Sequence, residues 1–151
     1  MITAINSGQW RIIGLFYKDK GARLHLREIA RKTKLHEPSA TKFLNSLERE
    51  GILKSEKEGN LKQYFIRQNN KTYILYTHFD IEKFNSLPSI RRNAINYYLE
   101  SLQEKPVIAF LFGSTAKETY KEDSDTDILI ITNKKTDTKE AEKHAEALTG
   151  I

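Results

Sequence analysis

The chain has 151 residues, 38% of them hydrophobic and 30% charged, enough apolar material for one ordinary core or two small ones and too much for the disordered class. It contains no cysteine, which excludes disulfide staples and thiolate metal ligation and is compatible with a reducing compartment. The net charge of +5 is uneven: residues 1–71 hold 15 Lys/Arg against 7 Asp/Glu, a net of +8, and the remainder holds 10 against 13, a net of −3. A basic first half suits a phosphate backbone, because each neutralised phosphate releases condensed counterions; a generic solvated surface is the bland alternative. Apolar runs such as Ile128–Ile131 fall far short of the roughly 20 residues that span a bilayer, and Met1–Gly14 lacks the pattern of a secretory signal. A cytoplasmic location without a membrane partner is expected.

In chain order, Trp10, Ile13, Leu15, Phe16 and Tyr17 crowd one side of a first helix that ends before Lys20-Gly21. A short stretch over Arg23–Leu26 follows. Leu26, Ile29, Ala30 and Leu35 then predict a brief helix, and Pro38 suits the first turn of the next. In that helix Ala40, Phe43, Leu44 and Leu47 keep helical spacing, and Gly51 is placed to stop it in the left-handed conformation. Alternating runs over Ile52–Glu56 and Leu61–Arg67 flank Lys57-Glu58-Gly59-Asn60, a hairpin signal. Residues 68–87 fit a connecting helix or an extra strand equally well. Beyond Pro88, Ile90, Ala94, Ile95, Tyr98, Leu99 and Leu102 form an apolar stripe that ends before Pro106. Val107–Phe112 reads as a strand buried on both faces, with Ile128–Ile131 as its neighbour. Thr136–Leu148 has helical propensity.

Three helices closed by a basic hairpin have the layout of a winged helix. Pro38–Leu53, with a small polar start, alternating core residues and the ending Leu47-Glu48-Arg49-Glu50-Gly51-Ile52, resembles the recognition helix and following strand of winged-helix regulators of the MarR/ArsR kind. The resemblance covers residues 5–67 and implies double-stranded DNA as a partner. Apolar residues would seat the helix while Ser39, Thr41, Lys42 and Asn45 meet the major groove. Lys54, Lys57, Asn60 and Lys62 of the hairpin would touch phosphates or the minor groove, positioning more than specifying. A protein-docking module with a solubilising charge is the competing reading. Such regulators are often dimers, and the helix Ile90–Leu102 is either an interface or packed within the chain.

From Val107 the order is strand, Gly113-Ser114, a polar connection, Ser124-Asp125-Thr126-Asp127, then strand. This is similar to the minimal nucleotidyltransferases of the DNA polymerase beta superfamily, and the lead-in Tyr120–Asp123 resembles theirs. Side chains alternate along a strand, so Asp125 and Asp127 are expected on one face and Thr126 on the other. Two adjacent carboxylates suit Mg²⁺, a hard cation that keeps waters and phosphates as its other ligands. Gly113 lets the backbone approach a phosphate, and Ser114 with the amides at a helix start can donate to it. The resemblance implies a nucleoside triphosphate partner, with Asp125 and Asp127 as metal-binding and catalytic residues and Gly113 and Ser114 as nucleotide-binding residues.

Active members of that superfamily add a third carboxylate from a later strand. Asp137, Glu140, Glu142 and Glu146 fall on the expected loop and last helix, so none substitutes. The chain is accordingly expected to be a fragment of a longer protein, or a degenerate domain kept for nucleotide sensing or assembly, and its enzymatic status stays open. His25, His36, His78 and His144 lack metal-ligand spacing. The expected fold is α+β: a winged helix over 1–71, a linker and helix over 72–104, and the opening portion of a nucleotidyltransferase-like domain over 105–151. The function expected from both halves is a DNA-binding transcriptional regulator whose second domain binds Mg-nucleotide. An active nucleotidyltransferase, antitoxin-like in kind, and a protein-interaction adaptor are the alternatives.

Overall fold

A computed structural model describes residues 5–122 and 124–151, so Asp123 of the acidic lead-in lies outside the described residues. Its elements are α1 (Ser7–Lys18), β1 (Leu24–His25), α2 (Leu26–Thr33), α3 (Glu37–Arg49), β2 (Leu53–Glu58), β3 (Leu61–Ile66), α4 (Asn70–Ser86), α5 (Ser89–Ser101), β4 (Ile108–Phe112), α6 (Gly113–Ala116), β5 (Asp127–Ile131) and α7 (Lys139–Thr149). They fall into two compact units that divide after Glu82.

In the first unit the Asn6 side chain accepts from the amides of Gly8 and Gln9, and Gln9 returns the bond to the Asn6 amide, so α1 opens with a reciprocal cap. Ile12, Ile13 and Phe16 of α1 are fully buried, whereas Trp10, Leu15 and Tyr17, expected on the same stripe, pack at the core margin. Gly8 faces α3 so closely that a Cβ would lie 2.9 Å from ring atoms of Phe43. α3 begins with Pro38 in its first turn and closes at Gly51, whose φ of +72° lets the Ile52 amide reach back to the Leu47 carbonyl at 2.9 Å.

The hairpin turns at Gly59-Asn60 and runs in register from Glu58↔Leu61 to Leu53↔Ile66, and β1 adds to the free side of β3 to give the order β1-β3-β2. Leu24, Leu53, Tyr64 and Ile66 seal the helical core. This is a winged helix. The undecided stretch 68–87 holds one long helix, α4, whose Leu75 and Tyr76 enter the same core, with the Tyr76 hydroxyl donating to the Phe16 carbonyl at 3.1 Å. Tyr73, Ile74 and Ile81 of α4 remain exposed, so apolar residues lie on opposite sides of the helix and blur its period.

In the second unit α5 packs along α7 through the small buried residues Ala94, Ala141 and Ala145 and through Ile95. Of the two uses expected for the α5 segment, the structure shows packing within the chain. The stripe is buried as expected at Ala94, Ile95 and Leu102 and differs at its start, where Ile90 is 48% exposed and Arg91 is buried instead. β4 and β5 pair antiparallel, from Ile108↔Ile131 to Phe112↔Asp127. The expectation that Val107–Phe112 is buried on both faces fails. Ile108, Phe110 and Phe112 share a face with Leu129 and Ile131, all about half exposed, and on the other face Leu111, Ile128 and Ile130 are no more than half-buried. No described helix is long and apolar enough to cross a membrane.

Candidate functional site

The acidic motif is assembled by strand register. Phe112↔Asp127 closes the β4–β5 ladder, so the residue that follows Phe112 meets the Asp127 carboxylate. That residue is Gly113. Its φ is +68°, and a Cβ there would lie 3.0 Å from Asp127 Cγ and closer still to the carboxylate oxygen. Glycine is therefore required twice, for the left-handed turn into α6 and for the space that Asp127 occupies. Asp125 and Asp127 are both exposed, whereas Thr126 between them is half-buried. That alternation is the one expected of an extended segment.

Beneath the motif lies Arg91 of α5, only 3% exposed. Its Nη1 donates to the Ser124 carbonyl at 2.8 Å, the Thr126 hydroxyl at 3.1 Å and the Thr115 hydroxyl at 3.5 Å. Its Nη2 donates to the carbonyls of Lys121 at 2.7 Å and Glu122 at 3.3 Å. The Tyr120 ring covers the guanidinium, with Cζ 4.4 Å from its centroid. Taking a cation out of water costs several kcal/mol. Here hydrogen bonds to an ionised donor, each worth about 1.5–3 kcal/mol, offset that cost. Lys121, Glu122 and Ser124, in the connection that is polar and formless in the sequence, thus turn their carbonyls onto one buried guanidinium. Thr115, 1% exposed, adds a bond from its hydroxyl to the Asp125 carbonyl at 3.4 Å. Sequence reading missed Arg91, yet a signal existed: Arg91, Ala94, Ile95, Tyr98 and Leu102 keep helical spacing if the arginine is counted as part of the stripe.

Two exposed carboxylates beside a glycine offer hard oxygen donors that fit a divalent cation such as Mg²⁺. Among the described residues no group of three or more His, Cys, Asp or Glu is placed to hold a metal. Glu142 and Glu146 project from α7, as expected, and line a cavity of about 690 Å³ together with Asp125, Thr126 and Tyr98. Burial and the Glu142 carboxylate both raise the Tyr98 phenol above its usual range.

The residues expected to meet DNA fall into three environments. On α3, Lys42 and Asn45 are exposed while Ser39 and Thr41 are half-buried, and the Thr41 hydroxyl donates to the Glu37 carbonyl at 2.9 Å. Arg49, not singled out by the sequence, is exposed one turn beyond Asn45 and completes the stripe. On the wing, Lys57 and Asn60 are exposed at the tip. Lys62 instead pairs with Glu48 of α3 at 2.8 Å, and Glu48 also accepts from Ser55. Burial pushes the Glu48 carboxyl up, but the bonds from Lys62 and Ser55 outweigh it and hold the group below the usual carboxylate range. The same bond raises Lys62. Lys54 lies over the Phe65 ring at 4.5 Å, on the other face of the hairpin.

A family description, polymerase beta nucleotidyltransferase, matches residues 93–151, and a second, the IclR helix-turn-helix domain, matches residues 11–57. Similar solved structures include a protein of Archaeoglobus fulgidus, with a TM-score of 0.49 and 15% identity over 56% of this chain and 93% of that one. A homodimeric winged helix-turn-helix DNA-binding domain of Mycobacterium bovis, a possible ArsR-family regulator, has a TM-score of 0.43 and 19% identity over 55% and 73%. A mutant of Staphylococcus aureus MepR bound to an oligodeoxyribonucleotide has a TM-score of 0.46 and 17% identity over 64% and 75%. No curated protein matches.

Proposed function

We propose that this chain, which carries a helix-turn-helix domain followed by a polymerase-beta-type nucleotidyltransferase domain, is a DNA-binding transcriptional regulator whose second unit binds Mg-nucleotide. The observation that carries the first part is the exposed stripe Lys42, Asn45 and Arg49 on α3 of a winged helix. A helix docked in the major groove reads bases with such side chains, asparagine pairing with adenine edges and lysine or arginine with guanine. Lys57 and Asn60 at the wing tip would contact backbone or minor groove, and the +8 balance of residues 1–71 supplies the sequence-independent attraction. Lys62 takes a smaller part, since it is bound to Glu48, and Lys54 stacks on Phe65 on the other face of the hairpin.

For the second part, Asp125 and Asp127 would hold the metal, and Ser114 with the backbone opened by Gly113 would hold the phosphates. Mg²⁺, when bound, would neutralise phosphate charge and link it to the two carboxylates. Arg91 and Thr115 keep the acidic loop in one shape. Two carboxylates suffice for the binding proposed for this unit. A salt-dependent mobility-shift titration with duplex DNA tests the first part. Calorimetry with Mg-ATP on the native chain and on D125N/D127N tests the second: heat that vanishes in the variant supports it, and no heat in either rejects it.

A further inference from the structure

The wing sheet carries a second cluster of cations on the face turned away from the recognition helix. Register separates the two faces. Ser55 and Lys62 both reach Glu48 of α3, so the pairs Ser55↔Tyr64 and Lys57↔Lys62 look toward that helix, and the alternate pairs Lys54↔Phe65 and Glu56↔Gln63 look the other way. On this outer face the Arg23 guanidinium lies 4.2 Å from the Phe65 ring centroid, and the Lys54 ammonium lies 4.5 Å from it. Lys20 and Arg67 join them around a cavity of about 690 Å³, lined by four cations and no carboxylate among the described residues. Glu56 accepts from Arg23 at 2.9 Å and also feels the Lys54 charge at longer range; Lys20 and Arg67 form no ion pair with a carboxylate among the described residues.

Gathering like charges around one cavity is unfavourable unless something answers them. The face of Phe65 does so in part, at about 0.5–1 kcal/mol per exposed cation, and a bound anion would do the rest. The cations come from three segments: the loop between α1 and β1, the start of β2, and the residue after β3. A ligand with several negative charges close together matches that set, whereas a lone carboxylate does not. Concavity narrows the class further. A volume of this size is in the range of small-molecule sites, about 300–1,000 Å³, and it opens broadly to solvent, which leaves a ligand free to enter. We propose that the outer face of the wing sheet is a binding site for a small polyanion of the di- or triphosphate class, made of residues other than those of the α3 surface and of the Gly113–Asp127 motif.

The experiment is a titration of the full chain with tripolyphosphate in magnesium-free buffer, followed by amide NMR. Saturable shifts centred on Gly21, Phe65, Gln68 and Asn69 are expected, with affinity weakened roughly tenfold or more in K54Q/R67Q. Amides of Ile12 and Leu44, deep in the core, report whether each variant is folded. Should removal of Lys54 from Phe65 unfold the wing, R67Q alone carries the test, with a several-fold loss expected. Unchanged affinity in the folded variants overturns the proposal. So do non-saturating shifts spread over the basic surface, which mean an adventitious ion only, and so does duplex DNA that displaces tripolyphosphate from these same amides.

Discussion

The Thr126 hydroxyl accepts a hydrogen bond from Arg91 Nη1 at 3.1 Å, so the residue between the two aspartates is tied inward to α5 while its neighbours stay exposed. The shape of the acidic loop then depends on a helix more than thirty positions earlier in the chain, and it is set before any metal arrives.

Replacing Arg91 by Met removes the cation and strands the carbonyls of Lys121, Glu122 and Ser124. Loss of one member of a buried polar cluster costs about 3–5 kcal/mol. Urea unfolding of the second unit is expected to show a loss of that order, with R91K recovering part of it because lysine cannot donate in two directions from a planar fork. Duplex binding by the first unit is expected to survive. A loss below about 1 kcal/mol would mean that water replaces the guanidinium without strain.

Gly113→Ala and Gly51→Ala form a matched pair. Both residues have positive φ, +68° and +72°, but a Cβ at Gly51 meets nothing within 4 Å whereas one at Gly113 meets the Asp127 carboxylate. G51A is expected to cost about 1 kcal/mol, the left-handed penalty alone. G113A is expected to cost more and to displace Asp127, with loss of any Mg-nucleotide heat. Equal costs measured by thermal unfolding would remove the steric argument.

The Glu48–Lys62 pair links α3 to the wing and bears on both stability and DNA affinity. Because the folded-state pKa of Glu48 is depressed, its contribution is present above the ordinary carboxylate pKa and is lost as pH falls through the folded value. Lys62 is raised, so its share is present below the ordinary lysine pKa and fades only as pH rises through the folded value. E48Q is expected to be destabilised by at most about 1 kcal/mol at pH 7 and to converge on the native chain as pH falls below the folded-state pKa of Glu48. By releasing Lys62, E48Q is expected also to strengthen duplex binding and steepen its salt dependence by about one phosphate contact. Weaker binding at unchanged stability would show Glu48 itself at the DNA surface.

Tyr76 anchors α4 to the first unit through the Phe16 carbonyl. Burial, with a smaller contribution from Tyr73, raises its phenol to about 12. The unfolded chain releases this proton first, so stability from this group holds below the ordinary phenol pKa and falls as pH climbs toward 12. Ultraviolet titration is expected to show late-ionising tyrosines, Tyr98 among them, and to lose the one at about 12 in Y76F, a variant about 1 kcal/mol less stable.

Local signals carried the winged helix into view from the sequence. Pro38, Gly51 and Gly59-Asn60 punctuate the chain where α3 and the hairpin begin and end, and each acts through its own backbone. α4 was not legible because its two apolar sides erase the helical period. The exposure of Phe110 and Phe112 depends on how many layers cover the ribbon, which no local run records. The motif residues Gly113, Ser114, Asp125 and Asp127 could be picked out, but the contact of Gly113 with Asp127 follows from strand register, and Arg91 was hidden by reading its charge before its helical phase.

The central claim, that α3 of this winged helix reads DNA, is tested most directly by a mobility-shift titration comparing the native chain with K42A/N45A and with T41A at fixed salt. The account predicts that K42A/N45A binds duplex roughly tenfold or more weakly. T41A, whose hydroxyl already serves the Glu37 carbonyl, is predicted to bind nearly as the native chain does. Native affinity in K42A/N45A, with both proteins folded, would contradict it.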